Sequence, residues 1–194
     1  ARFCSAGGSR VTMTSPAQRL GLEGWRALSP ELRAELRYRW RYWARPEQCA
    51  PEGDWRAWLY LGGRGAGKTR SGVEWLLERV AGGSRRLALV ARTGADVRDV
   101  LVEGESGILA CCPASNRPKW EPSKRRLTWP SGAIATTYTA DEPDQLRGPQ
   151  HDGALVDELA AWRFPDAWDQ LLLGLRLGKD PRVVVTTTPR PTAI

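Results

Sequence analysis

Apolar positions recur along this chain with two periods, and the alternation between them predicts most of its elements. Before residue 29 the spacing is weak and small or polar residues dominate, so residues 1–28 read as a poorly ordered leader, with Met13 a candidate natural start. A helix is predicted to open at Ser29-Pro30-Glu31, where a capping hydroxyl precedes a proline at the first helical position. Its stripe of Leu32, Leu36, Trp40 and Trp43 ends before Pro46, with Arg33, Arg37 and Arg41 on the neighbouring face and Glu35 placed to pair with Arg39. A short apolar strand, Trp58 to Leu61, is followed by a helix carrying Val73, Leu76, Leu77 and Val80 on one face. The unbroken run from Arg86 to Ala91 suits a strand buried on both faces, and a helix is expected from about Ala95 to Val102.

Further on, Pro130-Ser131-Gly132 separates Arg126 to Trp129 from Ala133 to Tyr138, the pattern of an antiparallel hairpin expected to decorate the sheet edge. A strand from Gly153 to Val156 leads to a helix from about Pro165 with Trp168, Leu171, Leu172 and Leu175 at helical spacing, stopping near Gly178. A last strand runs from Arg182 to Val185. Strands alternating with helices predict an α/β fold: a mainly parallel central sheet, helices on both faces, and one antiparallel hairpin insertion.

Composition narrows the function classes. The 194 residues carry 29 basic and 22 acidic side chains, a net charge of +7, which suits a polyanionic partner. The cations gather at Arg33, Arg37, Arg39, Arg41 and Arg45, and again at Lys119, Lys124, Arg125 and Arg126, although such runs also merely solvate a face. The longest apolar candidate, Leu171 to Leu177, is broken by Gly174 and Arg176, so no membrane span is expected. Ala1 to Gly8 lacks the apolar core of a secretory signal, and a cytoplasmic location is the expectation. Cys4, Cys49 and the adjacent Cys111 and Cys112 lack C-x-x-C spacing, which argues for reduced thiols and against structural zinc. With His151 the single histidine and no nucleophile motif beside it, a histidine-based triad is set aside.

The chemistry is concentrated at Gly62-Gly63-Arg64-Gly65-Ala66-Gly67-Lys68-Thr69, which is G-x-x-x-x-G-K-T in full. Glycines let the backbone turn tightly and aim successive N–H groups at one point, and the helix that follows adds its positive end. Lys68 can reach terminal phosphates, and the Thr69 hydroxyl can hold Mg²⁺. The strand ending in Asp157-Glu158 places two acids at the carboxyl end of a parallel sheet, where such sheets keep their ligand crevice. Asp157 then reads as a magnesium ligand and Glu158 as the residue that polarises the water attacking the γ-phosphate. An acidic helix cap is the plainer alternative. Thr186-Thr187-Thr188 at the last strand end can sense that phosphate, though threonine is also simply a good strand residue.

The ordered set Arg45-Pro46-Glu47-Gln48, Trp55 through Thr69, Leu146-Arg147-Gly148, Val156 through Ala160 and Thr186 through Arg190 resembles the ATPase part of the large terminase subunit that packages DNA into tailed-phage and gene-transfer-agent heads. The resemblance runs from about residue 40 to 194 and implies a P-loop fold of the additional-strand type. It further implies ATP and Mg²⁺ as cofactors, Gln48 as the adenine contact and Arg64 as the loop arginine on the phosphates. Arg147 becomes the arginine that reaches a neighbouring subunit's site, with Thr186, Thr187 and Thr188 in the motif that couples hydrolysis to movement. Implied partners are double-stranded DNA, a portal protein, a small terminase subunit and further copies of the chain in a ring.

On this reading residues 29–194 form the ATPase domain, truncated at its C-terminal end, and no nuclease activity is expected because the acidic metal cluster of the family's second domain does not appear. A helicase-type motor of the same P-loop group is the alternative, and a non-enzymatic basic DNA-binding module is a third. A GTPase is disfavoured by the lack of an N-K-x-D tetrapeptide.

Overall fold

The computed structural model describes residues 14–189, so Met13 and Arg190 lie outside the described residues. The chain forms two compact units divided between Glu52 and Gly53, a boundary well inside the single domain expected from residue 29.

The first unit is helical. Residues 16–27, expected to be part of the leader, form α1 (Pro16–Ala27), kinked where Gly21 takes φ 69°. A capping box accounts for its start: Ser15 Oγ accepts from Gln18 N at 3.1 Å and Gln18 Oε1 accepts from Ser15 N at 2.8 Å. The helix predicted from residue 30 is two pieces, α2 (Pro30–Leu36) and α3 (Trp40–Trp43). The break comes where the Leu36 carbonyl is taken by the Trp43 indole N–H at 2.8 Å and by Arg39 N at 3.0 Å, ending the helical ladder. Trp25, Tyr42 and Trp43 then cluster, with ring centroids 5.1–6.3 Å apart.

The second unit is built on a seven-stranded sheet. In chain order come β1 (Ala57–Leu61), α4 (Lys68–Ala81) and β2 (Arg86–Ala91). A short turn of helix, α5 (Gly94–Asp96), runs into a π-helical stretch (Val97–Val102), which replaces the regular helix expected there. Then follow α6 (Ile108–Cys111), β3 (Lys119–Glu121), β4 (Arg126–Thr128), β5 (Ile134–Thr139), β6 (Gly153–Asp157), α7 (Asp166–Gly174) and β7 (Arg182–Thr187). The spatial order is β1-β7-β6-β2-β5-β4-β3, parallel from β1 to β5 and antiparallel across β4 and β3. β7 thus lies between the strand that leads into the glycine-rich loop and the acid-bearing strand, where the resemblance implies an additional strand. The predicted hairpin exists, but its second arm is no edge decoration: β5 is an inner strand paired with β2 from Arg86↔Ile134 to Ala91↔Thr139. Ala135 and Tyr138 on it are buried.

Helices cover both faces of the sheet. α4 lies so close to β6 and β7 that a Cβ at Gly72 would sit 2.5 Å from Leu155 Cδ1 and 3.2 Å from Thr186 Cγ2. Ala167, Leu171 and Leu175 pack the opposite face against Ala88, Val90, Ala154, Val156, Val183 and Val185. No described helix is long and apolar enough to cross a membrane. Cys111 and Cys112 are free and buried, and burial pushes their thiols up to about 12 and about 11, which leaves them unreactive.

His151 is buried between α7 and β5, its ring edge-on to Tyr138 at 5.5 Å and neither ring nitrogen hydrogen-bonded within the described residues. Burial lowers its pKa from 6.5 to about 4. The unfolded chain therefore binds a proton in a pH range where the folded chain does not, so stability is lost as pH falls from above 6.5 toward 4. The loss attributable to this group is roughly 3 kcal/mol between pH 7 and pH 4. Denaturant unfolding at the two pH values should show that difference between wild type and His151→Phe, and parallel pH profiles would contradict it.

Candidate active site

The site begins where β1 ends. Gly62 N donates to Thr187 O at 3.3 Å, the last link between this strand and β7. The chain then turns through Gly65 (φ 75°) and Gly67 (φ 80°), left-handed conformations that favour glycine. Gly62 is required for a different reason, since a Cβ there would meet Ala66 Cβ at 3.0 Å. Tyr60 Oη donates to Ala66 O at 3.2 Å and pins the loop from outside. Gly67 caps α4, whose first residue is Lys68.

Lys68 is buried, and its ammonium donates to Gly63 O at 3.1 Å and lies 3.7 Å from Glu158 Oε1. The loop and the acid pair, 90 residues apart in sequence, are therefore brought together at one end of the sheet. Asp157 sits at the last register position of β6, opposite Thr186, whose hydroxyl donates to its Oδ1 at 2.6 Å. Burial raises the Asp157 pKa, the Thr186 hydroxyl opposes that, the neighbouring Glu158 charge adds to it, and Lys68 opposes it. Glu158 follows in a left-handed conformation (φ 49°, ψ 48°), uncommon for a non-glycine residue. Thr188 holds its carboxylate from both sides, through the backbone N–H to Oε2 at 3.1 Å and the hydroxyl to Oε1 at 3.0 Å.

The remaining sequence-predicted residues divide. Thr69 lies half-buried in the first turn of α4, one residue on from Lys68. Arg64 is exposed on the loop. Thr187 is buried, and its Oγ1 accepts from Ala160 N at 3.1 Å, so its hydroxyl serves the turn after Glu158. Arg147 follows a 3-10 turn (Pro143–Leu146) anchored by buried Leu146, and its guanidinium is exposed, 4.0 Å from Asp144. Gln48 belongs to the first unit, where it is buried and its Oε1 accepts from Arg45 N at 3.0 Å.

Of the two basic clusters, the early one is partly neutralised by Arg39–Glu35 and Arg45–Glu47 pairs. The later one lies on the β3–β4 edge, where Glu121 draws on Lys119, Lys124 and Arg126 at once. Sequence reasoning missed Thr186 as the partner of Asp157 and missed Trp162, whose indole N–H donates to Asp157 O at 3.1 Å.

The family described as terminase large subunit, T4likevirus-type, N-terminal, matches residues 59–193. The chain belongs to this family. Among solved structures of large terminases, the Thermus phage P74-26 ATPase domain is 19% identical, with a TM-score of 0.52 over 71% of this chain and 61% of that one. The large terminase of another thermophilic bacteriophage is 14% identical, with a TM-score of 0.59 over 79% of this chain and 37% of that one. The HK97 bacteriophage protein is 18% identical, with a TM-score of 0.54 over 82% of this chain and 33% of that one. At these identities the likeness is one of fold, and this chain spans less than two thirds of each terminase. No curated protein matches the chain.

Thr186→Val removes the hydroxyl that favours ionised Asp157, so the carboxyl pKa should rise further. Because the penalty falls on the charged form, destabilisation of about 1–3 kcal/mol is expected at neutral pH and less in acid, where the carboxyl is protonated. Unfolding free energies at pH 7 and pH 4 check this, and an equal loss at both would refute it.

Proposed function

We propose that this chain is the ATP-hydrolysing, DNA-translocating part of a phage-type genome-packaging motor. The observation that carries the reading is the 3.7 Å approach of the phosphate-loop ammonium to Glu158. A triphosphate entering the loop would meet backbone N–H groups turned inward and the start of α4. Lys68 would exchange its contacts with Gly63 and Glu158 for terminal phosphate oxygens, and Arg64 would add a charged fork from the loop. Glu158, once released by Thr188, is placed to orient and polarise the attacking water. The Thr69 hydroxyl and the Asp157 carboxylate are hard oxygen donors suited to Mg²⁺, and a cation would offset the burial that raises Asp157. Bound there, Mg²⁺ would neutralise charge developing on the phosphates.

ATP is favoured over GTP because the guanine-reading N-K-x-D tetrapeptide does not occur in the sequence, and Gln48 is assigned to the adenine edge. One large-terminase structure from a thermophilic bacteriophage is described as a complex with ATP-γ-S and another from the same phage as a complex with ADP, which supports a nucleotide at the corresponding fold position. Exposed Arg147 is assigned to the nucleotide of a neighbouring copy in a ring, where an arginine finger accelerates hydrolysis by about 10³–10⁵. The net charge of +7 suits sequence-independent grip on duplex phosphates. Portal protein and small subunit are assigned as docking partners, and the bacterial cytoplasm as the place of action. Membership of the terminase family does not favour the helicase-type alternative.

Lys68→Ala should weaken nucleotide binding by about 100-fold or more. Glu158→Gln should bind MgATP as wild type does while turnover falls by about 10²–10⁴. Equal loss of binding in both variants would overturn the assigned roles. Mixing Arg147→Ala chains with Glu158→Gln chains should restore turnover in a mixed ring, since each supplies what the other lacks; a demonstrated mixed ring without rescue would mark Arg147 as structural.

A further inference from the structure

The turn that presents Glu158 is tied to the sheet end by hydrogen bonds on both sides, one of them from Ala160 N to Thr187 Oγ1 at 3.1 Å. The last ladder bond there runs from Glu158 N to Thr186 O at 2.6 Å, and the chain immediately enters the left-handed conformation. For a residue with a Cβ that conformation is disfavoured, so something must hold it. A 3-10 turn (Leu159–Ala161) follows, closed by Ala161 N to Glu158 O at 2.8 Å and Trp162 N to Leu159 O at 3.0 Å. From its end the Trp162 side chain folds back, its ring packed against the core beneath α7, and its Nε1–H donates to Asp157 O at 3.1 Å. That bond closes a loop from 157 to 162 around the glutamate. The indole is anchored at one end by apolar burial and commits its one donor to the peptide group joining the two acids.

We infer that Trp162 is a positioning residue for hydrolysis: its indole N–H fixes the 157–158 peptide so that Glu158 keeps the backbone conformation aiming its carboxylate at the phosphate-loop crevice. The inference rests on the ATPase reading above. No role on the phosphates falls to Trp162, so its loss bears on turnover and spares affinity. Phe at 162 keeps an aromatic body in the core and deletes the donor. Released from that bond, Glu158 can relax toward ordinary backbone angles and swing its carboxylate away from Lys68.

The test uses the full chain, with ATP-γ-S titration for affinity, steady-state ATP turnover, and thermal melting. Trp162→Phe should lower kcat by about tenfold, the scale of one hydrogen bond, with affinity and melting close to wild type. In a Glu158→Gln background the same substitution should produce no further loss, because the group it positions is already disabled. Trp162→Tyr provides a second aromatic without the indole donor if the Phe variant does not fold. Unchanged kcat in an otherwise active enzyme overturns the inference and leaves the ATPase reading intact. Loss of affinity and melting together, or an additive loss on top of Glu158→Gln, marks Trp162 as structural and also overturns it. A wild-type chain that binds no nucleotide overturns the ATPase reading and this inference with it.

Discussion

A buried ammonium must be compensated where it sits, and the functional end of the sheet is arranged around that requirement. A charged group taken out of water needs partners in its new surroundings, because desolvation without them is costly. Gly63 O and Glu158 supply the compensation, one from the lysine's own loop and one from the end of β6. Since β7 stands between β1 and β6, the pairing is possible only if all three strands end level. Leu61↔Thr187 and Asp157↔Thr186 are the register pairs that make them do so.

Two adjacent carboxylates are consequently held in unlike surroundings. Asp157 is enclosed at the strand end with a threonine hydroxyl on one oxygen, and burial biases it toward its neutral form. Glu158, one residue on, has left the sheet, is partly accessible, and accepts from Thr188 on both oxygens while Lys68 lies beside Oε1. Paired acids separated by environment in this way differ in how readily each gives up its proton. The left-handed backbone at 158 turns the second carboxylate out of the sheet's pleat and toward the loop.

What the sequence made legible follows from how local each signal is. The phosphate loop, the run from Arg86 to Ala91 and the acids after Val156 are contiguous, so each could be read without knowing its neighbours. The start of α1 was also local, in Ser15 and Gln18, but weak apolar spacing concealed it. The break between α2 and α3 depends on an indole reaching back seven residues to Leu36, which helical periodicity cannot register. β5 looked peripheral because a hairpin turn announces only its antiparallel partner; its parallel pairing with β2 is a tertiary choice. Thr186 on Asp157 and Trp162 on the 157 carbonyl depend likewise on cross-strand register and on a side chain doubling back.

The missing Cβ at Gly72 has a mechanical consequence. With Leu155 and Thr186 lying where a methyl group would be, α4 rides on β6 and β7 like a piston fitted without clearance. Close-packed interiors compress little, so a shift imposed on the Lys68 end of α4 has no free volume to dissipate into. It must be passed on to the strand ends bearing Asp157 and the threonine row.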